Sequence, residues 1–267
     1  MPPLDTQEIQ AAKYVLTGKS LEIERTLTNA DRCVGVSAAG IIARTKGDLG
    51  LDKPVLSFVN RGSAGHFYAA YAIKGMEFHL RGNIADSGFC AAYGGLVSIS
   101  PPHERTGLGL VGNCFAYGAR GGKAFIAGNA GNRFGICLRK NHEGGGPQLV
   151  VEGVGANAFQ YMTGGIGVIL GSYGPNLGSG MSGGKIYILD PTVRNINDKY
   201  AVATNLSKPE EEELRQILEQ HVLHTESNLG KFLLCPFDPT RFKVVKTKLQ
   251  PEWLPEWDEE LKKAVGA

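Results

Sequence analysis

The chain has 267 residues, 28 basic against 26 acidic, for a formal net charge of +2, and 42% of it is hydrophobic. That balance supports a sizeable soluble core and offers no basic surplus of the kind nucleic acid demands, so nucleic acid is not expected as a partner. Glycine is the outlier at 37 residues, roughly twice its usual share of about 7%, with no Gly-X-Y period to suggest collagen.

The first residues, MPPLDTQEIQ, lack the basic and apolar regions of a signal peptide. The longest apolar runs fall short of the ~20 residues a membrane helix needs, so no membrane association is expected. Five cysteines without paired spacing suit a reducing, cytoplasmic setting better than a disulfide scaffold. Asp31 to Lys46 then places Val34, Ala38, Ile41 and Ile42 at helical spacing and stops at Gly47.

From Phe58 to Asp190 the character changes. Thirty of the 37 glycines lie there, with only 16 charges in 133 residues. The stretch repeats: GSAGHFYAAYAIKGMEFHL (62–80), GNIADSGFCAAYGGLVSIS (82–100), GNCFAYGARGGKAFIA (112–127), GNAGNRFGICL (128–138), GVGANAFQYMTGGIGVIL (153–170) and GSYGPNLGSGMSGGKIYIL (171–189). Each intact block has a glycine near its start, Gly or Gly-Gly in its second half, then a short strand. The expected strands are MEFHL, LVSIS, KAFIA, LVVE, IGVIL and KIYIL. Repeats of this length are too short for propeller blades and fit successive rungs of a parallel β-helix. On that expectation Gly62, Gly82, Gly95, Gly112, Gly122, Gly128, Gly153, Gly165, Gly171 and Gly184 turn corners, where positive φ is needed.

Beyond the blocks, Ser207 to Glu210 forms a capping box before Leu214, Ile217, Leu218 and Val222 on one helix face. RFKVVKTKL (241–249) alternates as a strand, and PEWLPEWDEELKKAV (251–265) reads as an exposed tail or docking helix. The expected fold is therefore all-β, a single parallel β-helix with capping α-helices at both flanks. Its divisions are an N-terminal extension and cap (1–57), the repeats (58–190) and a C-terminal helix, strand and tail (191–267).

Chemistry motifs are sparse. GLGLVG (107–112) and GSGMSG (178–183) match a dinucleotide fingerprint in letters but lack the strand-then-helix context. Gly180-Met-Ser182-Gly-Gly184 matches a nucleophile elbow, yet a strand follows it rather than a helix, so a corner is the better reading. Gly118 to Lys123 has the wrong spacing for a P-loop. Of His66, His79, His103, His142, His221 and His224, only the last two share a helix face, without a third metal ligand. Cys90 and Cys137 stand in like contexts, Gly-Phe-Cys and Gly-Ile-Cys, which suggests a stacked small column. No Cys-x-x-Cys exists to hold an iron–sulfur cluster. Glu77, Asp86, Glu152 and Asp190 could hide a polysaccharide-cleaving acid pair, but no spacing selects one. No catalytic, cofactor-binding or metal residue is assigned, and the residues read as a scaffold.

Residues 151–190 and 112–136 closely resemble the Gly-x-Gly-x-Gly (GXGXG) β-helix domain at the C-terminal end of the glutamate synthase large subunit. Residues 27–51, 58–86 and 212–230 are similar to segments flanking those repeats, so the resemblance covers about residues 20 to 250. It implies a right-handed β-helix that is a non-catalytic structural subunit. Its partners would be a class II glutaminase subunit and an FMN- and iron–sulfur-containing synthase subunit, which it holds in register while ammonia channels to 2-oxoglutarate. Those cofactors would sit in the partner. Pro2 after Met1 leaves no N-terminal cysteine nucleophile here, so this chain is expected as a stand-alone subunit. Gly88-Phe-Cys-Ala-Ala-Tyr-Gly-Gly95 departs from the family's Gly-Met-Ser-Gly-Gly corner. The same module in formylmethanofuran dehydrogenase-like complexes, or an autonomous carbohydrate-active β-helix using Asp86 or Glu152, are the alternatives.

Overall fold

Successive strands lie side by side in nearly the order in which the chain lays them down. The computed structural model describes residues 4–53, 56–102, 109–141 and 144–248. The strands are β1 (Leu21–Leu27), β2 (Leu56–Ala64), β3 (Met76–Ile84), β4 (Tyr93–Ser100), β5 (Gly109–Val111), β6 (Gly121–Ala130), β7 (Gln148–Gly153), β8 (Thr163–Ile169), β9 (Gly183–Ile188), β10 (Ala201–Thr204) and β11 (Lys243–Thr247). They form one sheet in the order β1-β2-β3-β4-β6-β7-β8-β9-β11-β10, with β5 pairing β3 and β6. Pairing is parallel from β1 to β9, and β11 runs antiparallel to both β9 and β10. The segments MEFHL, LVSIS, KAFIA, LVVE, IGVIL and KIYIL mark β3, β4, β6, β7, β8 and β9. Strands β1, β10 and β11 join the same sheet from outside residues 58–190.

Register stacks like on like. Leu80, Ile99, Ile126, Val151, Ile169 and Ile188 are successive ladder partners, all buried. Phe58 pairs with Phe78, their rings stacked 4.7 Å apart. Slipping any strand by one residue would move its member of this column to the opposite face of the sheet.

The all-β right-handed β-helix expectation is corrected here: among the described residues the structure is mixed α/β, an eleven-stranded, mostly parallel sheet with four α-helices. These are α1 (Leu4–Val15), α2 (Val36–Lys46), α3 (Lys208–Thr225) and α4 (Asn228–Leu234). The physical reason is that the central strands are apolar on both faces, as parallel strands beneath helices are. Ala124 and Ile126 of β6 belong to the main core, while Phe125 between them points the other way, with Val150, Val168 and Tyr187. Leu214, Ile217, Leu218 and Leu233 of α3 and α4 cover that second face. At the other end, Ala11, Ala12 and Val15 of α1 and Ala38, Ala39 and Ile42 of α2 enter the main core. The helices therefore supply buried residues to both apolar clusters.

Helix starts and stops follow the sequence. The Ser207–Glu210 capping box is formed, with the Ser207 N–H donating to the Glu210 carboxylate at 2.9 Å. Helix α2 ends at Gly47, φ 65. It starts at a left-handed Gly35 whose N–H donates to the Glu8 carboxylate of α1 at 2.9 Å, a remote side chain serving the helix start.

Between strands the chain runs through short arcs that stack on one another: 67–71, 87–91, 114–118, 133–137, 157–161 and 176–180. The first, third and fifth residues of every arc have positive φ, for instance Phe67, Ala69 and Tyr71, or Cys114, Ala116 and Gly118. Most are not glycine, so left-handed backbone is not confined to Gly here. Each such residue costs about 1–2 kcal/mol in isolation, and the arc's hydrogen bonds to both neighbours offset it. The Ser87 and Ala91 N–H groups donate forward to Asn113 and Tyr117 carbonyls, while Phe89 N–H donates back to Tyr68. The second and third positions pair large with small: Tyr68-Ala69, Gly88-Phe89, Phe115-Ala116, Phe134-Gly135, Ala158-Phe159 and Leu177-Gly178. The large members form a buried file, with ring centroids 6.0 Å from Phe89 to Phe115, 5.5 Å from Phe115 to Phe134 and 5.6 Å from Phe134 to Phe159.

Side-chain ladders run beside the arcs. Asp86 Oδ1 accepts from Asn113 N–H, Asn113 Oδ1 from Asn132 N–H, and Asn132 Oδ1 from Ala156 N–H, all within 2.9 Å. Higher up, Asn197 donates to Asn176 and Asn176 to Asn157.

Candidate functional site

Where each arc turns into the next strand, paired glycines stack into a bare wall. Gly94-Gly95, Gly121-Gly122, Gly145-Gly146, Gly164-Gly165 and Gly183-Gly184 line one concave groove of about 1170 Å³. The wall is bare because the rungs touch backbone to backbone: a Cβ on Gly122 would stand 2.5 Å from the Gly94 carbonyl oxygen. Tyr93, Ser182, Lys74, Lys123, Lys140, Lys185 and Lys246 add side chains to the groove, against Asp48, Asp52, Glu77 and Glu210. Several of these charges are engaged. Lys246 bridges to Glu210 at 2.7 Å and Lys74 to Asp52 at 3.5 Å. Partial burial works against the Glu210 carboxylate, yet Lys246 and Ser207 hold its pKa down to about 2, so it stays ionised rather than serving as an acid.

The ten glycines singled out in the sequence fall into three settings. Gly62, Gly82, Gly95, Gly122, Gly165 and Gly184 have positive φ inside or at the start of strands. Gly112, Gly153 and Gly171 lie at strand ends, each with no room for a Cβ against the neighbouring rung. Gly128 lies within β6, beside a register shift against β7.

The four acids are not gathered. Asp86 anchors the asparagine ladder. Asp190 accepts from Thr192 N–H and Oγ1, Tyr173 OH and Arg194 N–H; against the desolvation that opposes them, these donors push its pKa well down. Glu152, almost fully buried, accepts from Ser227 Oγ at 2.5 Å; burial raises its pKa and the Ser227 bond partly counters that. Ser227 in turn caps α4 through Gly230 N–H.

Glu77 belongs to a cluster that linear spacing did not reveal. His79 Nδ1 lies 2.8 Å from Ser98 Oγ, its ladder partner on β4, and His79 Nε2 lies 3.4 Å from Glu77. The line imitates a Ser-His-acid relay; Ser98 is buried at 4% exposure, and it and His79 line a small cavity of about 290 Å³ closed by Leu223, His224 and Thr225. Only cross-strand register, absent from the linear sequence, brings the three together.

His221 and His224 both pack on Phe125, with ring centroids 6.2 and 5.1 Å away. Burial, then the neighbouring His224, lowers the His221 pKa to about 3, and neither ring nitrogen has a hydrogen-bond partner. Ser182 is exposed on the groove at a corner leading into β9, without the strand-to-helix turn of an elbow. Cys90 and Cys137 do not form the expected column: Cys90 is the fourth residue of its arc and Cys137 the fifth, and all five cysteines are free. In the departing corner 88–95, Phe89 joins the buried aromatic file while Tyr93 faces the groove. His103, His142 and residues 251–265 lie outside the described residues, as do Gly107 and Leu108 of GLGLVG. Among the described residues no three His, Cys, Asp or Glu gather as metal ligands, and no helix is long and apolar enough to cross a membrane.

The described residues thus form a repeat-built sheet whose paired glycines wall one groove. Residues 5–249 match the GXGXG motif family, and the chain belongs to that family. It is 38% identical over 217 residues to a ferredoxin-dependent glutamate synthase of Antithamnion sp., covering 78% of this chain and 14% of that protein. It is 35% identical over 237 residues to a ferredoxin-dependent glutamate synthase of Pyropia yezoensis, covering 84% and 15%. Against the glutamate synthase [NADPH] large chain of Bacillus subtilis (strain 168) identity is 32% over 239 residues, covering 86% and 15%. The chain thus spans about a seventh of the length of these relatives.

Proposed function

We propose that this chain is a non-catalytic structural part of a glutamate synthase-type assembly. It positions a class II glutaminase part and an FMN- and iron–sulfur-bearing synthase part, and helps channel ammonia between them to 2-oxoglutarate. The observation that carries the reading is the match of four-fifths or so of this chain to glutamate synthases, joined to one unbroken sheet running from β1 to β11. Backbone pairing on both edges of every central strand resists bending. A stiff separator suits two active sites that must exchange a small, easily lost intermediate. On this reading the flavin and the cluster belong to the partner part; among the described residues of this chain no three His, Cys, Asp or Glu gather as ligands. Five unpaired thiols suit a reducing compartment such as the cytoplasm.

Affinity purification of the tagged full chain from its native cell, with mass spectrometry of what co-elutes, tests the reading. Recovery of glutaminase and flavin-dependent synthase regions supports it; recovery of neither overturns it.

A further inference from the structure

Arg61 of β2 and Arg81 of β3 are ladder partners, and Arg81 is in turn the partner of Ser100 on β4. Two residues earlier on each strand, Val59, His79 and Ser98 form the neighbouring row. Alternate residues of a strand share a face, so both rows point to one side of the sheet and the two guanidinium groups stand next to each other. Like charges directly opposite one another on a sheet are destabilising. Glu226, just past α3, answers one of them, bridging to Arg81 at 2.8 Å. Among the described residues the Arg61 guanidinium has no ion pair or hydrogen bond.

These rows floor the cavity of about 290 Å³ that the last turn of α3 roofs. Its charged lining is Arg61 and Arg81 against Glu226, two positive side chains to one negative. His224 adds a donor from the roof. Its ring is stacked on Phe125, centroids 5.1 Å apart, and among the described residues no hydrogen bond engages its nitrogens. A neutral imidazole still has one N–H to give. His79, by contrast, is engaged on both nitrogens, by Ser98 and Glu77. The carbonyl end of α3 is partly satisfied, since Thr225 O accepts from Ser100 Oγ at 3.0 Å. The cavity therefore gathers donors that lack an acceptor. Guanidinium forks match the paired oxygens of carboxylate and phosphate. A cavity at the small end of the range for ligand pockets suits an ion or a molecule of a few carbons.

We propose that this cavity binds a small, multiply charged oxyanion, a phosphate or a short dicarboxylate. Arg61 and Arg81 hold its oxygens side by side, and His224 donates to it from the roof. The assignment is independent of the assembly role.

Isothermal titration of the full chain in chloride buffer tests it, with inorganic phosphate in one arm and succinate in the other at matched ionic strength. Saturable binding of at least one of them is expected, with a Kd of about 1 mM or below, and the arm that binds tells a phosphate site from a dicarboxylate site. Arg61→Gln is expected to weaken that binding at least about tenfold. Because Arg61 has a like-charged neighbour and no partner, Arg61→Gln without anion is expected to unfold at the wild-type temperature or above it. Neither anion binding saturably up to about 10 mM overturns the proposal, as does a smaller loss in Arg61→Gln. A lowered unfolding temperature for the anion-free variant would assign Arg61 to the fold and overturn it as well.

Discussion

Gly82 sits beside its ladder partner Gly62 so closely that a Cβ on Gly82 would lie 1.7 Å from the Gly62 carbonyl oxygen. The backbone at Gly82 also has φ 157. Gly82→Ala therefore forces two rungs apart and is expected to destabilise the fold by at least about 3 kcal/mol. Gly118→Ala is the control, since that glycine has positive φ but open space around it; it is expected to lose only about 1 kcal/mol. Denaturant unfolding compares the two, and equal losses would contradict close rung contact as the reason for glycine here.

The large–small pairing inside the arcs makes a coupled prediction. A Cβ on Gly135 would stand 2.7 Å from the Phe159 ring. Gly135→Ala should overpack the core, and Phe159→Leu should relieve part of that clash. A double-mutant cycle is expected to show a coupling of about 1 kcal/mol or more; additive losses would contradict the packing.

Two buried ionisable groups set the pH profile of stability. Burial raises the Glu8 pKa to about 7, against the Gly35 N–H and Arg25, which favour its charge. Its unfolded form ionises from about 4.5, so the unfolded state binds fewer protons and stability falls as pH rises from there through 7. His221 works the other way. Its folded pKa of about 3 lies below the unfolded value of 6.5, so stability falls as pH drops below 6.5. Thermal unfolding across pH 4 to 8 is expected to show a maximum between these limits. Glu8→Gln should flatten the alkaline side and His221→Leu the acid side, each by a few kcal/mol at the extreme.

If Asp86 and Glu152 are structural acids, Asp86→Asn and Glu152→Gln should alter unfolding midpoints and no hydrolytic activity. Asp86 would lose strength at the base of the asparagine ladder and Glu152 at its bond to Ser227. Glycan-cleaving activity in the wild-type chain that either variant removes would reinstate a carbohydrate-active reading.

Short strands and the α3 start were legible because each carries a local signal: alternation in KAFIA and KIYIL, and Ser207 with Glu210. The layering was not. Phe125, Val150, Val168 and Tyr187 signal a second apolar face, but one strand's alternation does not say what covers its far side. β1 and β2 were missed although LEIERTL and LSFVNRGSA alternate, because the repeat count began at the first glycine block. Helix α1 buries only small residues, Ala11, Ala12 and Val15, a faint amphipathic stripe. The arcs escaped notice because left-handed backbone was expected of glycine alone, whereas Phe67, Tyr71 and Tyr161 adopt it. The recurring Gly-Asn at 112–113 and 131–132 was the available clue to the asparagine ladder.

The central claim is that stiffness of this sheet keeps two partner sites in productive register. The most direct measurement is the ratio of glutamate formed from 2-oxoglutarate to glutamine hydrolysed, in the complete assembly, with wild-type chain and with a variant lengthened by a Gly-Ser insertion at the exposed Gly144 turn. The account predicts a ratio near that of tight coupling for the wild type and a fall with the insertion while glutamine hydrolysis continues. An unchanged ratio in an assembly lacking the chain altogether would contradict it.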